Sequence, residues 1–202
     1  MRIFLGTEDA QHRAERVFVW SIERVRDPAR IYEIHLLKRL PGFRTWFWNT
    51  GFTNYRFAVP ELAGGCGRAI YNDVDQIYLA DPGELFDLDL GEHGYLAVSE
   101  TDTSVMLMDC ARMARVWTLG AARRRRKYGM IQTARAIEGC HGQLPPEWNA
   151  RDEEHAERRT KLRHYTILHK QPWRPFPERF LYQPNRDAEL WHELERSANE
   201  SG

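Results

Sequence analysis

The first 37 residues alternate in a way that few folds accommodate. Arg2-Ile3-Phe4-Leu5 is an apolar run that stops at Gly6, and the residues at 7–9 offer helix caps. Ala14, Val17, Phe18, Ser21, Ile22 and Val25 then recur at helical spacing until Asp27-Pro28 ends the pattern. Residues 31–37 are rich in Ile and Leu and suit a second strand. Strand, loop, helix, strand is the grammar of an α/β layered fold, where the loop after the first strand commonly faces a ligand. A chain of 202 residues fits one such domain, and 42% hydrophobic residues supply its core.

The same pattern continues. Residues 41–52 are aromatic and turn-rich and predict a loop. Residues 53–62 begin as a short helix that Pro60 limits. A strand over 68–72 runs straight into Asp73-Val74-Asp75, and Ile77-Tyr78-Leu79 resumes an extended pattern. Asp81-Pro82 turns the chain into one helical turn at Glu84-Leu85-Phe86. Strands are expected at 95–98 and 104–108, and a long helix over 111–137 with a break at Gly120 or Gly129. Residues 144–146 read as a loop, 152–161 as a charged helical or mobile stretch, and 163–168 as a final strand. The domain is expected to span 1–180, with 181–202 as a C-terminal tail, an amphipathic helix that frays.

Charge and cysteine content remove several classes. Twenty-nine Lys+Arg against 29 Asp+Glu leave no net charge for bulk nucleic-acid binding. Cys66, Cys110 and Cys140 are odd in number and widely spaced, forming neither a disulfide framework nor a zinc pattern. No apolar run is long enough for a membrane span, and the start does not resemble a signal peptide. A soluble, cytoplasmic protein is expected, at most peripheral to the inner face of a membrane.

Asp73 and Asp75 carry the chemistry. An apolar strand delivers two carboxylates to its carboxyl end, where α/β sheets place ligands. Two such groups repel unless a cation lies between them. Hard oxygen ligands suit Mg²⁺ or Mn²⁺, which commonly bind one or two carboxylates plus phosphate oxygens. The alternative is a pair of solvated turn aspartates.

The segment 68–90, RAIYNDVDQIYLADPGELFDLDL, resembles the signature of glycosyltransferase family 8. Four further stretches match in order: Ile3-Phe4-Leu5-Gly6-Thr7-Glu8-Asp9, the helix around Asn54-Tyr55-Arg56-Phe57, the strand Ser104-Val105-Met106-Leu107, and Leu144-Pro145-Pro146-Glu147-Trp148-Asn149 followed by His164-Tyr165. The resemblance covers about residues 2–175. It implies a single GT-A-type, Rossmann-like α/β domain with a central mixed, mostly parallel sheet flanked by helices. It also implies a metal-dependent, retaining transfer of a hexose-type sugar from a nucleoside-diphosphate sugar, with a UDP-sugar as the expected donor and the acceptor unspecified.

Carried over residue by residue, the resemblance makes His164 the third metal ligand beside Asp73 and Asp75, with His169 as a competitor. Imidazole favours Mn²⁺ over Mg²⁺. Lys170 falls near the family's K-P-W lysine and would face the diphosphate, although Gln171 separates it from Pro172. Arg56 would pair with the carboxylates or the phosphates. Thr7, Glu8 and Asp9 would face the nucleotide, with N-capping by Asp9 as the alternative. Trp148 and Trp173 offer a sugar-stacking face or core packing.

The match also has gaps. Asp102 stands where the family has Asn, and no D-Q-x-x-L-N segment lies between 110 and 145, Gln132 being the nearest polar residue. That region instead holds Arg123-Arg124-Arg125-Arg126-Lys127, cations that point around a whole helix circumference. A nucleotide-sugar-binding protein without transfer is therefore the alternative. A haloacid-dehalogenase-type phosphatase with Asp73 as nucleophile is a third reading, against which stand the 72 residues that precede the motif.

Overall fold

The computed structural model describes residues 1–43 and 51–201, so part of the loop expected over 41–52 lies outside the described residues. β1 (Arg2–Gly6) buries Ile3, Phe4 and Leu5 in succession, as a strand covered on both faces must. α1 (His12–Val25) follows and buries Ala14, Val17, Phe18, Ser21 and Ile22. Ser21 belongs on that apolar face because its hydroxyl accepts the Tyr78 backbone N–H at 3.0 Å. β2 (Glu33–Leu37) runs parallel to β1 at the sheet edge, largely exposed and carrying charge.

The chain re-enters through a 3₁₀ turn, Tyr55–Ala58, and α2 (Val59–Leu62). Pro60 does not limit this helix but sits in its first turn, where a missing N–H costs nothing. β3 (Arg68–Asp73) pairs parallel with β1 on the side away from β2. β4 (Gln76–Tyr78) leaves the main sheet, and α3 (Pro82–Phe86) is capped by Asp81, which accepts the Gly83 N–H at 2.8 Å. β5 (Tyr95–Ala97) and β6 (Val105–Asp109) pair antiparallel.

The long helix expected over 111–137 is three short ones: α4 (Cys110–Met113), α5 (Leu119–Arg124) and α6 (Lys127–Arg135). The breaks fall at 114–118 and 125–126, not at Gly120 or Gly129. Asp109 and Thr118 each cap a new start by accepting backbone N–H groups. Trp117 is buried between the pieces and donates its indole N–H to the Met130 carbonyl at 2.9 Å, folding the chain back. β7 (His141–Gln143), unforeseen in the sequence, adds parallel to β5.

Among the described residues the main sheet has the order β2-β1-β3-β6-β5-β7, with β6 alone running against the rest. A smaller sheet joins β4, β9 (Leu162–His164) and β8 (Ala150–Arg151) in the order β4-β9-β8. β9 is shorter than the strand expected over 163–168: residues 165–167 are irregular and lead into a 3₁₀ turn, Leu168–Lys170. The charged stretch 152–161 holds one 3₁₀ turn, Asp152–Glu154, and otherwise turns. α7 (Glu189–Glu200) closes the chain and packs on α1: Trp191, Leu194 and Ala198 are buried, and the Arg13 guanidinium binds both Glu195 oxygens at 2.7 and 2.8 Å. No described helix is long and apolar enough to cross a membrane.

Candidate metal centre

β3 ends at Asp73, in register with Gly6 at the end of β1, so the first carboxylate emerges at the carboxyl edge of the parallel strands. Its position is fixed from three sides. The Arg56 Nη2 reaches Asp73 at 2.8 and 3.1 Å. Tyr71 Oη donates to the same carboxylate at 2.6 Å. The backbone N–H of Asp73 bonds the Ser104 carbonyl at 3.0 Å. Arg56 is itself held by the carbonyls of Thr53 and Thr103, each at 2.7 Å, and lies over the Tyr71 ring. Arg56 therefore pairs with the first aspartate. Burial pushes the Asp73 carboxyl up, and Arg56 offsets only part of that. Removing one partner of so desolvated a pair costs about 3–5 kcal/mol.

Three residues on, next to Asp75, Gln76 pairs with His164 across the small sheet. That register brings the Asp75 carboxylate to His164, 3.0 Å from Oδ1 to Nε2. The contact is an ion-pair distance without hydrogen-bond alignment, and Asp75 Oδ1 is buried with no hydrogen-bond partner. The histidine's other nitrogen explains this. Nδ1 lies 2.8 Å from Asn149 Oδ1, while the Asn149 amide donates to Asp102 and to Ser104 Oγ. An amide so oriented makes Nδ1 the donor and turns Nε2 toward the Asp75 carboxylate. At that distance the two atoms need a cation between them, either a proton on Nε2 or a bound metal ion. Burial works against an imidazolium, but Asp75 outweighs it and holds His164 above its ordinary value.

One ligand atom each from Asp73, Asp75 and His164 lies within 4.8 Å of the others. Two carboxylates and an imidazole, with a buried oxygen lacking a partner, fit a divalent ion of the Mn²⁺ type. Gln171 completes the surround, donating to Asp75 Oδ2 at 3.3 Å and to the Tyr165 carbonyl at 3.0 Å.

The other sequence candidates fall in different places. Lys170 does not join the cluster. It lines a cavity of about 510 Å³ with Arg163, Asn185 and Asp187, and Gln171 takes the inward position. His169 also stays outside the triad. In the first loop, Thr7 is buried and donates to Glu15 at 2.6 Å. Asp9 is exposed, pairs with Arg39 and caps nothing with its side chain. Glu8 keeps a ligand-like position: one oxygen accepts from the Gly51 N–H at 3.3 Å, and the other is buried without a partner. Burial holds its carboxyl above the usual range, the Gly51 N–H working the other way. Trp148 and Trp173 are core residues and offer no sugar-stacking face.

Tyr71, Asn149 and Gln171 had no site role in the sequence reading, and neither did Asp102 and Lys127. Asp102 anchors Asn149 and hence the imidazole. Lys127 opens α6 and lies close enough to Arg56, Asp73 and Asp102 to feel their charges. Nothing in the spacing of residues 110–145 marked either of them.

No protein-family model matches this sequence, and no curated protein matches it. Solved structures match over nearly its whole length. The galactosyltransferase LgtC, in complex with donor and acceptor sugar analogues, superposes with a TM-score of 0.67 at 14% identity, covering 98% of this chain and 96% of that one. The glycosyltransferase GlyE of Streptococcus pneumoniae gives 0.67 at 17% identity, over 99% of this chain and 62% of that one. A Drosophila β-1,4-galactosyltransferase 7 variant, in complex with manganese, UDP-Gal and xylobiose, gives 0.51 at 12%, over 95% and 78%. The mixed sheet with flanking helices is thus the GT-A fold.

Proposed function

We propose that this chain is a metal-dependent, retaining glycosyltransferase that takes a hexose-type sugar from a nucleoside-diphosphate donor, with UDP as the expected nucleotide. The observation that carries the proposal is the convergence of one ligand atom each from Asp73, Asp75 and His164 within 4.8 Å of one another. The three glycosyltransferases of the same fold support it, one of them holding manganese and UDP-Gal. Retention of configuration rests on the motif resemblance alone.

In this reading the chain's residues divide the work. A divalent ion bound by the triad supplies Lewis-acid charge to the departing diphosphate. Arg56 and Tyr71 hold Asp73 in one orientation, and Asn149 keeps the His164 Nε2 lone pair turned inward. The free oxygen of Glu8 offers an acceptor to a base N–H or a ribose hydroxyl. The free thiols Cys66, Cys110 and Cys140 fit a reducing, cytoplasmic setting. The acceptor is a sugar-bearing or other hydroxyl compound that the site does not specify.

A second reading, donor binding without transfer, is favoured by the missing D-Q-x-x-L-N segment between residues 110 and 145. Calorimetry with UDP and Mn²⁺, followed by donor hydrolysis assays, separates the two. Mn²⁺-dependent UDP binding that Asp75→Asn abolishes supports the site in either form, and turnover decides for the transferase. Failure of any uridine or guanosine diphosphate to bind with Mn²⁺ overturns both.

A further inference from the structure

Arg163 points away from the triad. Its neighbour on β9, His164, faces Asp75, and strand alternation turns Arg163 to the opposite side of the small sheet. There it lines the cavity of about 510 Å³ with Tyr165, Lys170, Arg186 and Asp187, and none of Asp73, Asp75 and His164 lines it. The Arg163 side chain is only 3% exposed. Its guanidinium lies over the Tyr165 ring, 5.0 Å from Cζ to the ring centroid, a contact that fixes its plane.

A buried charge is costly unless its N–H groups find acceptors. Here Nε and Nη2 are both buried, and neither has a hydrogen-bond partner among the described residues. Asp187 comes within 3.0 Å of Nη2 as an ion pair, but out of line for a hydrogen bond, and its side chain is half exposed. Nε and a terminal nitrogen form the fork by which an arginine grips two oxygens of a carboxylate or phosphate at once. The other carboxylates of the cavity do not fill that fork. Asp152 accepts from the backbone N–H and the hydroxyl of Thr166, and Glu153 is exposed. Lys170 and Arg186 have neither an ion pair nor a side-chain hydrogen bond among the described residues. A neighbouring cavity of about 470 Å³ shares both of them and adds Arg174 and Arg196 against the single carboxylate of Glu189. An incoming anion therefore meets one buried fork and two free cations, with two more arginines behind them.

We propose that this cavity is an oxyanion site that takes a phosphate group, held by the Arg163 fork and by the side chains of Lys170 and Arg186. A phosphate group, with nearly two charges at neutral pH and three acceptor oxygens, answers these cations more fully than a carboxylate. The free ion and a phosphorylated small molecule share this chemistry, and the cavity has room for either. The site lies across the small sheet from the triad and does not depend on the donor reading.

The test is calorimetry on the full chain without added metal, with inorganic phosphate and glucose 6-phosphate as probes and glucose as the control. At least one phosphate probe is expected to bind, and glucose is not. Tighter binding of inorganic phosphate assigns the site to the free ion, and tighter binding of the ester assigns it to a phosphorylated small molecule. Arg163→Lys keeps the charge but loses the fork and is expected to weaken binding about tenfold, the scale of one charged hydrogen bond. Arg186→Glu, at an exposed residue, tests the same site without disturbing the core and is expected to weaken binding as much or more. Asp187→Asn removes the competing carboxylate and is expected to tighten it. Asp75→Asn is expected to leave it unchanged. Absence of binding by both phosphate probes overturns the proposal. So does undiminished binding in both Arg163→Lys and Arg186→Glu. Binding that Asp75→Asn abolishes overturns it as well, since the anion then belongs to the triad.

Discussion

A Cβ built on Gly6 falls 2.1 Å from Tyr71 Oη, which is closer than any real contact. This glycine is not needed for a turn. It lets the Tyr71 ring pass the end of β1 and bond Asp73. Gly6→Ala is expected to cost about 1–3 kcal/mol by overpacking and to weaken Mn²⁺ binding by displacing Tyr71, as read by urea denaturation and metal titration. Asp102 makes a second prediction at this scale. Burial pushes its carboxyl up, but hydrogen bonds from Ser104 and the charges of His164 and Arg151 leave it below the usual range. A carboxyl lower in the folded than in the unfolded chain stabilises above the unfolded value, and that stability is lost as pH falls through the folded one. The wild type is therefore expected to lose melting temperature faster than Asp102→Asn below about pH 4. Parallel curves from pH 6 to 3 would count against this. Asp73 and Asp75 were legible because strand and acids are contiguous. The role of Asp102 was not, because it acts through Asn149 and His164 from distant parts of the chain.

At the scale of elements, the reading succeeded where one period ran unbroken and failed where it was interrupted. β1, α1 and β3 follow from apolar runs and helical spacing alone. The stretch 111–137 kept a helical composition, but the caps at Asp109 and Thr118 and the burial of Trp117 divided it. β9 shows what such a break does to a site. Its last residue, His164, faces Asp75, while its neighbour Arg163 turns the other way, toward Asp187. Had the strand continued to 168, the following residues would keep that alternation. Instead the Tyr165 N–H bonds the Asp75 carbonyl, a 3₁₀ turn follows, and the inward position passes to Gln171. Gln171→Ala is accordingly expected to weaken metal binding roughly 10- to 100-fold, in the range for groups that orient ligands. Lys170→Ala is expected to leave it unchanged. A Lys170→Ala variant that binds UDP several-fold more weakly with Mn²⁺ present would restore the diphosphate contact that the K-P-W resemblance suggested.

Over the whole molecule, the zero net charge averages unlike regions: buried acids at the sheet edge and a run of five cations from Arg123 to Lys127. The closing helix α7 is tied to α1 through Arg13 and Glu195, so these two helices pack side by side. The triad spans a different division. Asp73 belongs to the large sheet, whereas His164 ends a three-residue strand of the small one, with β8 shorter still. An ion held by both is a removable cross-link between stretches distant in sequence, and it exists only in the folded chain. Occupancy then stabilises the protein by mass action. Its effect is concentrated where the least backbone pairing exists. Amide exchange at Arg163 and His164 is expected to slow on adding Mn²⁺ far more than exchange in β1, making the small sheet the part of the protein whose opening reports whether the ion is bound.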